Sequence, residues 1–577
     1  MLAKLLKAYL PPYRWLLAGV LALQLFGAIA ALILPTLNAR IIDDGVARGD
    51  TGFIMSTGGI MLLVSLATIL ASVASTFLAA KSSMGFGHDV RAAVYKAVGS
   101  FSDREFSGFG APTLITRNTN DVLQIQTLVM LTSSMLVSAP LMCIGGIFMA
   151  LRENLQMSWL LTISVPLLGI TVAIVIARLI PHFRTMQTRI DNINRSLREQ
   201  LTGMRVIRAF VREPDETMRF DKANKELTDT AMLIGRYQAV LMPTIMLIAN
   251  MSSVAVLWFG AHLVDTGDMQ IGQISAFLAY VMQILMSVLM ATMLAVVIPR
   301  AAVCADRITE VIDTEPSVPA PTQPLRPTNP YGVVEFGGAG FSYPGAETPV
   351  LSGVSMRCLP GTVTAIVGST GSGKSTLVSL IPRLVDVTAG AVLIDGLDVR
   401  GWDQDELFTN FGYVPQKAYL FAGTIATNIR YGNPAATDAE IWDALTIAQA
   451  DGFVRELSQG LDAPISQGGT NLSGGQRQRL AIARAGVRKP RILVFDDSFS
   501  ALDMHTDVAV RAALRAVTTS TTVIVVAQRI SSVVDADQIM VLDDGSPVGL
   551  GDHNFLLANC PTYQEIVASQ IPAELSA

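Results

Sequence analysis

The stretch Val363-Thr364-Ala365-Ile366-Val367-Gly368-Ser369-Thr370-Gly371-Ser372-Gly373-Lys374-Ser375-Thr376 decides how the second half of this chain folds. Its apolar first part predicts a strand over 363–367, and the residues from Ser375 to Leu384 predict a helix. Between them lies the pattern G-x-x-x-x-G-K-[ST], and strand, glycine-rich loop, helix is the setting in which that pattern carries weight. Backbone N–H groups of such a loop and of the helix start cradle phosphates. Lys374 is placed to pair with their outer oxygens and the Ser375 hydroxyl to reach magnesium. Gly368, Ser369, Thr370, Gly371, Ser372, Gly373, Lys374, Ser375 and Thr376 are therefore the expected nucleotide cradle.

Further motifs follow in order. Gly412-Tyr413-Val414-Pro415-Gln416 precedes a helical region, and Leu472-Ser473-Gly474-Gly475-Gln476 opens a helix running through Arg477-Gln478-Arg479. The apolar run Ile492-Leu493-Val494-Phe495 ends in Asp496, as a metal-holding strand should, and Asp497 comes next. The turn Ser500-Ala501-Leu502-Asp503 and the segment Val526-Ala527-Gln528-Arg529 complete the set.

The first half is of another kind. The 577-residue chain exceeds the usual span of one domain. It is 51% hydrophobic and only 15% charged, with mean hydropathy +0.45, and the long apolar runs lie before residue 300. Soluble domains average about a quarter charged, so this part is expected in a membrane. Six segments meet the requirement of about 20 apolar residues, near 15–37, 54–80, 128–151, 157–180, 239–263 and 274–298. The first is too long for the apolar core of a cleaved leader and reads as a retained helix.

Connections alternate between short loops and two long, polar, helix-patterned excursions. The excursions are basic, with Lys81, Arg91, Lys96, Arg104 and Arg117 in one and Arg184, Arg189, Arg195, Arg198, Arg205, Arg208 and Arg212 in the other. The positive-inside tendency puts both, with Lys4 and Lys7, in the cytoplasm, and the short loops carrying Asp43, Asp44, Asp265 and Asp268 outside. Their length points to a mechanical contact below the bilayer, with tips at 106–110 and 206–210. Ionisable residues are nearly absent from the spans, whose polar candidates are Gln24, Asn250 and Gln283. Met282, Met286, Met290 and Met293 form a stripe at helical spacing. Such a stripe serves for packing, or as a deformable wall for varied apolar ligands. The absence of intramembrane charge favours apolar or amphipathic cargo over ions.

Pro316, Pro319, Pro321, Pro324, Pro327 and Pro330 predict an extended linker between the halves. Cys143, Cys304, Cys358 and Cys560 lie far apart, without metal-ligand spacing, and read as inert buried thiols. The net charge of −5 is mild, and no nucleic-acid partner is expected.

With these motifs in this order behind six spans, the chain resembles an ABC half-transporter of the exporter type over nearly its whole length. The resemblance implies an all-α six-helix transmembrane domain (1–312), the linker (313–332), and an α/β P-loop nucleotide-binding domain with a helical subdomain (333–577). By the same resemblance Tyr343 stacks on adenine and Gln416 senses magnesium, which Ser375 and Asp496 also hold. Ser473, Gly474, Gly475 and Gln476 form the signature motif, with Asp503 nearby in the ATP interface. Two such domains close head to tail, each ATP lying between one phosphate loop and the other signature. The excursion tips match the family's coupling helices.

Two positions depart from the family. Where it carries a water-polarising glutamate this chain has Asp497, and where it carries a switch histidine it has Gln528. Asp497 is one methylene shorter, a shift of roughly 1.5 Å, and misplacing a catalytic group by about 1 Å can cost on the order of 100-fold in rate. Gln528 can donate a hydrogen bond but carries no charge. Gln467 also stands where glutamate is common before the signature. With an unbroken Ser473-Gly474-Gly475-Gln476, these departures imply a heterodimer in which this chain supplies the degenerate site. The expectation is a subunit, resembling actinobacterial multidrug-type pairs, that exports drug-like or lipid-like compounds using ATP and Mg2+. It sits in the plasma membrane with its N-terminus and nucleotide-binding domain cytoplasmic. Siderophore import on the same architecture and thiol or glutathione export are the alternatives, as is a regulatory subunit that moves nothing.

Overall fold

The computed structural model describes residues 1–135, 137–327 and 330–570, apart from the side chains of 292–296, among them Met293. The chain divides into two compact units, Met1–Gly99 with Ala111–Thr314, and Ser100–Gly110 with Glu315–Ala577.

In the first unit, six helices among the described residues are long and apolar enough to cross a membrane: Pro11–Val46, Thr51–Gly99, Ala111–Glu153, Trp159–Ala209, Glu213–Asp265 and Ile271–Ala291. Several outrun the apolar segments predicted for them because the polar excursions continue the same helices. Trp159–Ala209 and Glu213–Asp265 run to 51 and 53 residues and are tied beyond their apolar parts by Arg189–Glu226 and by Arg219–Glu199 at 2.8 Å. On either side of residue 136, which lies outside the described residues, the third span is helical over Val122–Met135 and Ser138–Glu153. Pro140 lies in the first turn of Ser138–Glu153, where its missing N–H is harmless.

The polar span residues brace helices. Gln24 donates to the Ser133 carbonyl at 2.7 Å and Gln283 to the Ala31 carbonyl at 3.5 Å, while Asn250 is exposed. Met282, Met286 and Met290 are exposed on the sixth span. The tip expected at 206–210 closes the fourth long helix, and Phe210 and Val211 are 72% and 76% exposed. Cys304, Cys358 and Cys560 are buried and Cys143 is half-buried, all as free thiols.

The second unit is α/β. Its main sheet has the order Ser546–Gly551, Gln538–Asp543, Val363–Gly368, Thr522–Val526, Ile492–Asp496, Phe411–Val414. All neighbours are parallel except the first pair. An antiparallel sheet built on Val334–Phe341, Leu351–Cys358 and Ala389–Ile394 covers one side of the core. Helices from Ile425 to Gly486 form the helical subdomain. The first excursion's tip belongs to this unit: Asp103–Phe109 is a helix capped by Ser102 and Glu105, and Ser102 hydrogen-bonds Ser317 at 2.7 Å.

Two expectations need correction. The helix after the phosphate loop ends at Leu380 instead of Leu384, since Pro382 has no N–H to continue it and Arg383 turns to φ 55°. The proline-rich linker is extended, as expected, but it is not loose. Leu325 exchanges backbone hydrogen bonds with Gly401 (2.8 Å) and Asp403 (2.9 Å), and Arg326 pairs with Asp403 at 2.8 Å. Arg383 reaches back to the Pro319 carbonyl at 2.8 Å.

Trp402, beside the pinned linker, is fully buried, and its indole N–H has no partner among the described residues. Trp402→Ala should destabilise this unit by about 3–5 kcal/mol, the range for emptying a large aromatic site. Trp402→Phe should cost far less, because it also removes an unpaired buried donor. Urea dependence of proteolysis of the second unit in the purified full-length chain would check both.

Candidate nucleotide site

In a parallel sheet all carboxyl ends lie along one edge, and ligands gather there. Here four adjacent strands end at that edge. Val363–Gly368 runs into the phosphate loop, Ile492–Asp496 into Asp497, Thr522–Val526 into Gln528, and Phe411–Val414 into Gln416. The register sets them level, with Val526 opposite both Ile366 and Asp496, and Val414 opposite Phe495.

The loop turns into its helix at Gly373, whose φ of +91° suits glycine and whose added Cβ would sit 2.9 Å from the Val350 carbonyl. The following Lys374 is buried and folds over the loop, its Nζ donating to the carbonyls of Gly368 (2.9 Å) and Ser369 (2.6 Å). Burial pushes its pKa down, and the charges of Asp497 and Asp496 pull it back up. The Ser375 hydroxyl donates to Asp496 Oδ1 at 2.8 Å, and the Tyr413 hydroxyl reaches Asp496 Oδ2 at 3.5 Å. Burial raises the Asp496 pKa, and the Asp497 charge adds to the rise. Burial likewise pushes the Tyr413 phenol up, helped by Asp496 and more weakly by Asp103 of the excursion tip.

Asp497 has an unusual setting. Its backbone is left-handed at φ +46°, a region that aspartate tolerates better than most residues. Its Oδ2 accepts from Gln528 Nε2 at 2.8 Å and from Gln416 Nε2 at 3.0 Å. A carboxylate only accepts, so both amides present nitrogen to it.

The structure thus gathers Lys374, Ser375, Asp496, Asp497, Gln416 and Gln528. The other residues singled out in the sequence stand apart, and among the described residues none hydrogen-bonds to the phosphate loop. Tyr343 is half-exposed and edge-on to Phe341 at 4.9 Å. Ser473 caps the helix Gly474–Gly486, its hydroxyl accepting from the Gln476 N–H at 3.2 Å while Gln476 accepts from the Ser473 N–H at 2.9 Å. Gly475 faces the Ala501 carbonyl, so the signature adjoins the Ser500–Asp503 turn, where Asp503 caps Met504–Val517. Gln467 is exposed. The sequence motif alone assigns Tyr413 no role; its signal is a phenol in a strand whose neighbours are apolar.

The loop is built for phosphate: glycines permit close backbone approach, a helix N-terminus faces it, and one buried cation lies across it. A hydroxyl and a carboxylate 2.8 Å apart, with an amide oxygen available from Gln416, form the all-oxygen set that magnesium prefers.

Comparison with known proteins agrees with this geometry. Residues 17–288 match the family profile of the ABC transporter transmembrane region, and residues 351–500 match that of the ABC transporter. An uncharacterized ABC transporter ATP-binding protein of Mycobacterium tuberculosis is 52% identical over 99% of this chain and 98% of its own. A second, from Bacillus subtilis, is 36% identical over 98% of both. A multidrug efflux ATP-binding/permease protein of M. tuberculosis is 30% identical over 94% of this chain and 45% of its own length. Among solved structures, a bacterial Atm1-family ABC exporter with ATP bound superposes with TM-score 0.81 at 25% identity, covering 97% of this chain and 98% of its own. This chain belongs to the ABC transporter family. It is an exporter-type half-transporter, a multi-pass membrane protein with an ATP-binding cassette.

The raised Asp496 pKa has a stability consequence. Ionising a carboxyl whose folded pKa lies above its ordinary 3.8 costs the folded chain stability once pH exceeds that value, and the cost is absent at lower pH. Asp496→Asn should raise the neutral-pH melting temperature of the nucleotide-free chain. The same variant should lose magnesium-dependent stabilisation by ATP. Thermal scans with and without Mg-ATP would check both signs.

Proposed function

We propose that this chain is the degenerate-site subunit of a heterodimeric ABC exporter that uses ATP to move hydrophobic or amphipathic compounds. In this reading the cradle from Gly368 to Thr376 holds the phosphates, with Lys374 on their outer oxygens and Tyr343 against adenine. Ser375, Asp496 and the Gln416 amide oxygen hold magnesium, which when bound offsets charge on the β- and γ-phosphates. Ser473, Gly474, Gly475 and Gln476, with Asp503, complete the partner's site.

The arrangement around Asp497 carries the proposal. Its carboxylate is one methylene short of glutamate, and one oxygen already accepts two amide hydrogens. Gln416 and Gln528 hold it there, and neither amide can take a proton at neutral pH to assist an attacking water. The signature keeps its capped helix start, so the chain is equipped to complete another site better than its own. The cargo class is supported by the scarcity of ionisable residues in the spans and by three exposed methionines on the sixth. It is also supported by relatives named for multidrug efflux and for fatty acid transport. The basic excursions support a cytoplasmic cassette and N-terminus in this reading, with the spans in the plasma membrane.

Purified alone, the chain should bind ATP yet hydrolyse it slowly. Asp497→Glu with Gln528→His should raise turnover on the order of tenfold or more. Steady-state phosphate release in detergent or lipid discs would measure this. Vigorous turnover by the isolated chain, abolished by Asp497→Ala, would sink the heterodimer reading.

A further inference from the structure

We propose that Gln570, 42 positions along the chain from Gln528, is a positioning residue that sets the switch segment and through it the nucleotide site. The inference rests on the reading that Asp497 and Gln528 face the nucleotide.

The strand Thr522–Val526 leaves the main sheet at its carboxyl end, and the Ala527 N–H bond to the Ile366 carbonyl (3.1 Å) is its last tie to the central strand. Gln528 and Arg529 are exposed beyond that point. The Arg529 carbonyl accepts from the Ser532 N–H at 3.1 Å, and the flanking Gln528 carbonyl and Ile530 N–H are both taken by one side chain. Gln570 Nε2 donates to the Gln528 carbonyl at 2.8 Å, and the Ile530 N–H donates to Gln570 Oε1 at 2.8 Å. Arg529 between them is extended at φ −97°, ψ 123°, which turns the preceding carbonyl and the following N–H to the same side. The amide of Gln570 therefore pairs with the switch as the N–H and C=O of one residue in a neighbouring strand would.

The clamp has a firm base. Gln570 is the last described residue of the helix Pro561–Gln570, whose Tyr563 is fully buried and bonded to His553 Nδ1 at 2.8 Å, and whose Ile566 and Val567 pack on the main core. From the clamped backbone, the Gln528 side chain reaches Asp497 Oδ2 at 2.8 Å. A two-step chain of hydrogen bonds thus links the last described helix to the carboxylate beside the phosphate loop.

If the clamp positions the switch for the terminal phosphate, its loss should weaken ATP binding and spare ADP. Gln570→Met keeps the length but removes both bonds, and Gln570→Glu keeps only the acceptor for Ile530. The probe is photo-crosslinking of labelled azido-ATP or azido-ADP, with magnesium, into this chain's band within the full assembled transporter. Gln570→Met should weaken ATP labelling about fivefold to tenfold, the effect of losing positioning hydrogen bonds. ADP labelling and melting temperature should be unchanged, and Gln570→Glu should fall between. In a Gln528→Ala background, Gln570→Met should add nothing. Equal loss of ATP and ADP labelling, unchanged ATP labelling, or a full effect without the Gln528 side chain would each overturn the inference. Lys374→Ala is the separate control. If it leaves ATP labelling intact, the site reading itself falls and this inference with it; if it abolishes labelling while Gln570→Met does not, only the clamp is refuted.

Discussion

The site depends on one constraint, that parallel strands must all end on the same edge. Four neighbouring strands deliver Lys374, Gln416, Asp497 and Gln528 to a common line, and Asp496 closes one of them. Charges that would be solvated on separate loops are thereby drawn together out of water. Burial works against both the Lys374 ammonium and the Asp496 carboxylate, and each is partly relieved by the other's charge and by hydrogen bonds to the Gly368 carbonyl or the Ser375 hydroxyl. Charged, strongly hydrogen-bonded groups held against burial are a cost accepted for a ligand of high charge.

Within that edge, Asp497 stands out by how fully it is held. A left-handed backbone aims it, and two neutral amides from different strands meet on one oxygen. The proposed reading rests on this fixed placement of the carboxylate oxygen. The asymmetry proposed for the assembled transporter has its physical origin here, while the signature, capped by Ser473 on the helix Gly474–Gly486, retains what a partner would use.

Much of this was legible in residue order. The phosphate loop, the apolar strand ending in Asp496, the helix opening at Ser473 and the six apolar spans each announce themselves by local chemistry or period. The misses share a cause. The pinning of Leu325 to Gly401 and Asp403 and the contact of Tyr413 with Asp496 both depend on residues distant in sequence. The early helix end at Leu380 is the exception, since its cause, Pro382, lies two residues beyond it in the sequence.

By itself the sequence determined the kind of machine: a membrane bundle, a linker and an α/β cassette with a phosphate-binding loop. These follow from short-range rules, because loop glycines, strand hydrophobicity and span length act within about 20 residues. Only the tertiary structure decided what Asp497 and Gln528 touch. That Gln416 and Gln528 share Asp497 Oδ2, and that Gln570 completes the switch as a surrogate strand, follows from sheet register and helix docking. A glutamine carries no motif of its own. Its meaning comes from the backbone that the fold brings within hydrogen-bond reach.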